Sequence, residues 1–356
     1  MATQATLVES RMLKLQPIAT FPGMRALAWD GNVLYASRGY KLYSAKMTAE
    51  IRWRQVAEYR PRWWRNLTSR FPLSSRLVRD GFHAVTILPH GGIIAAVPGA
   101  IVTLRKRETQ FNVSHRIARG TRPLHITATP CGRVFWGEYF DNPARDEVHI
   151  YASDDDGSTW NIAYTFGHGS IRHIHNIVYD KWADCLWIFT GDYGNECRIL
   201  RASSDLGKVN EVIAGNQQAR AVAAVITEEG IYFASDTPLE QNSIYHLDRR
   251  GKIRKLLAIP SSSIYGCRAG NALFFSTMAE PSTVNSDNMA ALFGSTAGDS
   301  WQQVAGWRKD HWSMKFFQYG NAFLPDGENT SDMLAVSTIA VEKADLQTFL
   351  WRVSAL

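Results

Sequence analysis

The stretch that most limits what this chain can become is Tyr151 to Phe166, YASDDDGSTWNIAYTF. Two alternating apolar runs flank the octet Ser153-x-Asp155-x-Gly157-x-Thr159-Trp160, so the segment reads as a β-hairpin with a specialised turn. The serine and aspartate side chains can cap the turn's own amides. Gly157 supplies a positive φ, and Trp160 covers the hairpin as the next strand begins. Such an octet is a structural device rather than a site.

The same arrangement recurs along the chain. Aligned on the tryptophan, third-to-fourth strand turns are expected near Trp53, Phe111, Trp160, Asn210, Arg254 and Trp301, a spacing of roughly 45 to 55 residues. Ser203-x-Asp205-x-Gly207 keeps the first half of the octet and Gly298-x-Ser300-Trp301 the second. Each turn is preceded by an inner strand, a turn and a second strand, as in HITATPCGRVFWGEYF and HNIVYDKWADCLWIFTGDYG. A seventh front half, FFQYGNAFLPDGENTSDMLAVSTIAV, is followed by only one more strand, TFLWRVSA. Its missing outer strand can come from Leu13 to Phe21, which closes the ring and removes the open edges of a linear array. At 356 residues the chain exceeds what one compact core holds, and radial repetition satisfies that length. The expectation is an all-β, seven-bladed β-propeller of four-stranded antiparallel blades, one domain over residues 1–356. Six blades is the alternative.

The octet and its remnants resemble the Asp-box repeats of the sialidase superfamily of β-propellers. The resemblance implies boxes on the outer rim, away from the channel where propellers keep their sites. True sialidases have six blades and an F/Y-R-I-P motif on the first inner strand. Here Gly23-Met24-Arg25-Ala26 keeps only the arginine, so the match to true sialidases is not close. The resemblance also implies a tyrosine nucleophile paired with a glutamate, and an arginine cluster around a substrate carboxylate, for which Arg25, Arg220 and Arg268 are available.

In a propeller, polar residues at the starts of inner strands and the ends of second strands gather in one funnel. The first set is Arg25, His83, His125, His173, His175, Arg220, Arg268 and Lys315; the second is Arg38, Glu138, Tyr139, Asp192, Tyr193, Asp236 and Glu280. In Arg172-His173-Ile174-His175-Asn176 the two histidines can share one face of a strand, and with Asp192 and Glu138 nearby they could form a proton-transfer pair or, if any metal binds, a divalent metal site. Metal is not required by this pattern. Glu138 and Asp192, in similar places of adjacent units, are candidates for the acid and base of glycoside hydrolysis, and Tyr139 or His175 for the base of β-elimination at a uronic acid. Arg25, Arg38, His83, His125, Tyr193, Arg220, Arg268 and Lys315 are then the substrate-binding set.

The leading expectation is therefore a glycoside hydrolase or polysaccharide lyase acting on an acidic or polar glycan. The alternative is a non-catalytic propeller that binds a glycan or protein, within a polysaccharide biosynthesis pathway. The net charge of +6 is concentrated in residues 60–80, where Arg60, Arg62, Arg65, Arg70, Arg76 and Arg79 surround Trp63 and Trp64. This insert reads as a surface excursion whose tryptophans pack on the propeller wall while its arginines stay wet. Attachment to nucleic acid or an anionic membrane through it would show as steep salt dependence, and no nucleic-acid partner is expected. No run is long enough for a membrane span, and the N-terminus lacks the apolar core of a signal peptide. The chain is thus expected to be cytoplasmic, or secreted or periplasmic if a leader preceded it, and monomeric or weakly homo-oligomeric. Cys131, Cys185, Cys197 and Cys267 show no C-x-x-C spacing and are expected as free thiols, although Cys185 and Cys197 could face each other across a hairpin.

Overall fold

The structure is a computed structural model that describes residues 13–285 and 287–355. The segment 1–12, read above for a leader, lies outside them. Seven sheets form in chain order. Blade 1 covers residues 25–58, blade 2 residues 85–116, blade 3 residues 127–166, blade 4 residues 174–214, blade 5 residues 221–258 and blade 6 residues 263–308. Blade 7 joins residues 321–355 to the N-terminal strand Leu13–Pro22, which pairs antiparallel with Gln347–Ala355 from Leu13↔Ala355 to Pro22↔Gln347. The seven-bladed ring and its seam thus form as the repeat pattern requires. Outer strands begin at Arg54, Asn112, Asn161, Val209, Ile253 and Gln302, beside the turns read from the sequence.

The core is divided among the blade interfaces. Because strand side chains alternate, one strand serves two interfaces: Phe135 faces blade 4 while Trp136 faces blade 2. Among the described residues every pair of neighbouring blades shares an apolar cluster, including blade 7 against blade 1 through Trp29, Leu34, Ala335 and Leu350. Each fully buried Leu, Ile or Phe contributes about 1.5–3 kcal/mol.

Three further features were not foreseen, and all of them strengthen the seam. First, Asp326–Asn329 leaves blade 7 and pairs in parallel with the inner strand of blade 1, Ala28↔Asp326 to Gly31↔Asn329. Gly327 allows that approach, because a Cβ there would lie 2.2 Å from the Trp29 carbonyl. Second, the insert folds into two short helices, Trp63–Thr68 and Pro72–Val78. Third, Arg76 of the insert is buried against the loops of blades 6 and 7. Its guanidinium meets Asp310 at 2.6 Å and Asp345 at 3.1 Å and donates to the Phe317 carbonyl at 2.7 and 3.0 Å. The wet-arginine expectation is corrected by Arg76, and the packed-tryptophan expectation by Trp63, which is 79% exposed.

The Asp-box turn has the bonding its sequence implies. Asp155 accepts from the Thr159 amide at 2.8 Å and hydroxyl at 2.7 Å, while Ser153 Oγ accepts from the Gly157 amide at 2.9 Å. The turn also docks on the preceding blade, with Thr103 Oγ1 donating to the Gly157 carbonyl and Trp160 Nε1 to Ser114 Oγ. Asp155→Ala is expected to cost about 1–2 kcal/mol, read as a lower denaturation midpoint at unchanged slope. The four cysteines are free, Cys185 and Cys197 among them. No helix among the described residues is long and apolar enough to cross a membrane.

Candidate functional site

Inner strands begin, and second strands end, on the face opposite the Asp-box turns. There the seven blades bring their polar residues within range of one another's charge. Blade 4 supplies the densest group. His175 lies at a register shift between Ile174 and Asn176, and, two residues on from His173, it presents its ring on the same side of the strand. Both rings are buried. His173 Nδ1 faces the Phe140 carbonyl at 3.0 Å and His175 Nδ1 the Ala221 carbonyl at 3.1 Å, so each Nδ1 carries the proton and donates it. The two Nε2 atoms then meet at 3.0 Å, and each lies 3.5 Å from Asp192 Oδ1. Arg220 adds a contact to the same oxygen at 3.2 Å, and Arg172 reaches Oδ2 at 3.5 Å. Burial alone would raise the Asp192 pKa, but its contacts with the two histidines, and then the Arg220 charge, outweigh that and hold it well below the usual carboxylate range.

Around this group the funnel is divided by charge. On the blade 5 and 6 side, Asp236 lies 3.7 Å from Arg220, and burial followed by the Asp236 charge pushes Glu280 up to about 7. Tyr139, tilted against the His173 ring at 4.4 Å between centroids, is pushed up to about 12, by burial first and then by Asp236 and Asp192. That is the opposite of what a tyrosine nucleophile needs.

On the blade 1 and 2 side the sign reverses. Arg25 and Arg122 are half-buried at the channel, with the exposed Arg79 beside them. Burial, then Arg79 and Arg25, push the Arg122 guanidinium down to about 10. Burial, then Arg122 and Arg25, hold His83 well below its usual value. Among the described residues none of Arg25, Arg79 and Arg122 has a carboxylate within 4.0 Å. Arg25 sits over the Phe323 ring at 3.9 Å, and its nearest ionisable neighbours are Tyr265 and Asp326. Asp326 itself meets His125 across the channel at 3.1 Å.

This cationic side opens into a cavity of about 950 Å³ between blade 1, the seam and the helical insert. Arg25, Arg38, Lys41, Arg70, Arg79 and His83 line it, as does the exposed Trp63. Its acids are already engaged. Glu58 pairs with Arg60 at 3.2 Å, and Asp80 is held by Arg65 at 2.9 Å and Tyr40 at 2.8 Å.

Of the residues expected at the site, the structure gathers Arg25, His83, His125, Tyr139, His173, His175, Asp192 and Arg220 in the funnel, with Arg38 on the cavity wall and Tyr193 exposed at the rim beside Arg172 and Arg220. Three expectations are corrected. Glu138 does not face Asp192: both its oxygens are taken by Arg119, and one also accepts from the His149 amide at 2.9 Å, so it ties strands together. Arg268 lies at the far end of the inner strand, which starts at Ser263 rather than near Arg268, and it points to solvent and the Gly270 carbonyl. Lys315 precedes the last inner strand, on the surface helix Met314–Phe317. Arg79, Arg122, Tyr265, Tyr319 and Asp326 were not anticipated. Tyr265 alone carries a signal in the sequence, since it opens the repeat unit YGCRAGNALFFSTMAE that also contains Arg268.

The Glu280 shift has a testable consequence. The folded state holds that proton more tightly than an unfolded glutamate with the ordinary value of 4.5. Its contribution to stability is therefore full below pH 4.5 and is lost as pH rises to about 7. The difference in unfolding free energy between the protein and Glu280→Gln should change by at most about 3 kcal/mol across that window and stay flat above it.

No protein-family model matches the sequence, and no curated protein does. Solved structures match at the level of fold. A chain in a crystal structure of the mitotic checkpoint complex aligns over 99% of this chain and 96% of its own length, with a TM-score of 0.58 and 11% identity. The WD40 β-propeller domain of Doa1 aligns over 96% and 97%, with a TM-score of 0.58 and 10% identity. At such identities the likeness shows the propeller fold alone.

Proposed function

We propose that this chain binds an acidic glycan, with its carboxylate or sulfate groups held on the Arg25, Arg79 and Arg122 side of the funnel. One observation carries the reading: Arg122 feels the charges of Arg79 and Arg25, none of the three has a carboxylate within 4.0 Å among the described residues, and Asp326, the acid that acts on Arg25, is already paired with His125. Charge left unbalanced in a low-dielectric site costs stability, so its natural complement is an anion brought by a ligand. The 950 Å³ cavity suits an oligosaccharide, and Trp63 at its wall offers an apolar face on which a sugar ring can lie. Kinship with the Asp-box propellers, carried by the complete octet at 153–160, belongs to the same reading.

The test is titration calorimetry with a uronate tetrasaccharide and with its neutral, carboxyl-reduced counterpart. Binding of the first, weakened by salt, and failure of the second support the proposal. Equal binding of both, or of neither, refutes it.

A second reading, cleavage of the bound glycan, is favoured by Glu280. A carboxyl held near 7 next to Asp236 is protonated often enough at neutral pH to donate to a leaving oxygen. Elimination would give a product absorbing in the ultraviolet, and hydrolysis new reducing ends without absorbance. If neither appears while binding persists, the chain is a glycan receptor and not an enzyme.

A further inference from the structure

We propose that His173, His175 and Asp192 bind a divalent first-row transition metal ion, with Zn2+ as the reference ion. This goes beyond the glycan reading and does not rest on it. Each imidazole has its Nδ1 hydrogen committed to a backbone carbonyl, His173 to Phe140 and His175 to Ala221. That outer contact is the one metal-bound histidines make, because it fixes the tautomer and aims the Nε2 lone pair at the metal. Here both lone pairs point at each other across 3.0 Å inside the protein. Two such lone pairs repel unless something positive sits between them.

The third atom defines where. With both nitrogens 3.5 Å from Asp192 Oδ1, the circle through the three atoms has a radius of about 1.9 Å. An ion displaced slightly from that plane lies about 2.0–2.1 Å from all three, the bond length zinc makes to histidine nitrogen and carboxylate oxygen. Two imidazoles and one carboxylate are the donor set that suits zinc, iron and their neighbours, and they leave coordination positions for water or ligand oxygen. Arg220 at 3.2 Å and Arg172 at 3.5 Å orient the Asp192 carboxylate from outside the triad. Among the described residues this is the group whose His, Cys, Asp or Glu donor atoms converge on one point, all within 4.8 Å.

The experiment is equilibrium dialysis of the chelator-stripped full chain against Zn2+, with bound metal counted by elemental analysis and folding followed by circular dichroism. One Zn2+ per chain is expected, with a raised Tm. His175→Ala and Asp192→Asn should weaken binding by more than about 100-fold. Arg122→Met should bind Zn2+ as the parent does, so failure of the glycan reading and failure of this one are distinguishable. If a triad variant does not fold, Co2+ bound to the parent decides the matter. Ligand-field bands and X-ray absorption showing two imidazoles support the site. No stoichiometric metal in the parent, or unchanged binding in a folded His173→Ala/His175→Ala variant, overturns the proposal and leaves a shared proton between the rings.

Discussion

Replacing Arg76 with alanine should release the helical insert and lower the unfolding free energy by about 3–5 kcal/mol. Arg76 is about 1% exposed and links the blade 1–2 connection to Asp310, Asp345 and the Phe317 carbonyl, all in blades 6 and 7. Removal of the cation leaves the Phe317 carbonyl without its donor and takes the charged partner from Asp345, which keeps only the Ala340 amide, and this costs more than the ion pairs themselves contribute. Asp310 keeps Lys309, so Asp345 is the group left most exposed to this penalty. The insert is also the outer wall of the cationic cavity, so the variant should lose acidic-glycan affinity together with stability. Denaturant titration and protease nicking within residues 60–80 are the measurements. An Arg76→Ala protein that melts and resists protease like its parent would show that the insert is held by its apolar contacts instead.

Arg122→Met should act in the opposite sense on stability and even more strongly on binding. The charge at Arg122 is half-buried, repelled by Arg79 and Arg25, and without a carboxylate partner within 4.0 Å among the described residues. Methionine fills similar space with no charge to desolvate, so the variant should gain about 1–3 kcal/mol of stability. The same substitution removes a donor from the ligand's acidic group and should cost about 2–5 kcal/mol of binding, roughly 30-fold or more in Kd. A gain in one property with a loss in the other marks a residue kept for its ligand. If both properties fall, Arg122 is part of the scaffold.

The ring was legible because it rests on local rules repeated many times. Trp160 and Trp301 mark strand turns by side-chain chemistry, and Leu13 to Phe21 was needed by simple counting, since the last blade lacked a strand. The funnel was half legible. His173, His175 and Asp192 follow from strand starts and ends, but Arg268 was misplaced because the inner strand of blade 6 begins at Ser263, which carries Arg268 to the other end of its strand. Glu138 failed for a different reason: its neighbour Arg119 lies in a loop whose path no periodicity predicts. Asp326, Arg79 and Arg122 were hidden in the same way, on connections whose positions depend on tertiary contacts. The Asp326–Asn329 strand pairs with residues some 300 positions away, which a repeat pattern cannot reveal.

The central claim is that the arginines gathered on one side of this funnel exist to hold an acidic sugar. A crystal structure of the chain soaked with a uronate tetrasaccharide tests it most directly. A sugar carboxylate within hydrogen-bonding distance of Arg25 or Arg122 and a ring against Trp63 are the expected result. A ligand seated on the Asp-box face, or in the funnel with its carboxylates turned away from both arginines, would contradict it.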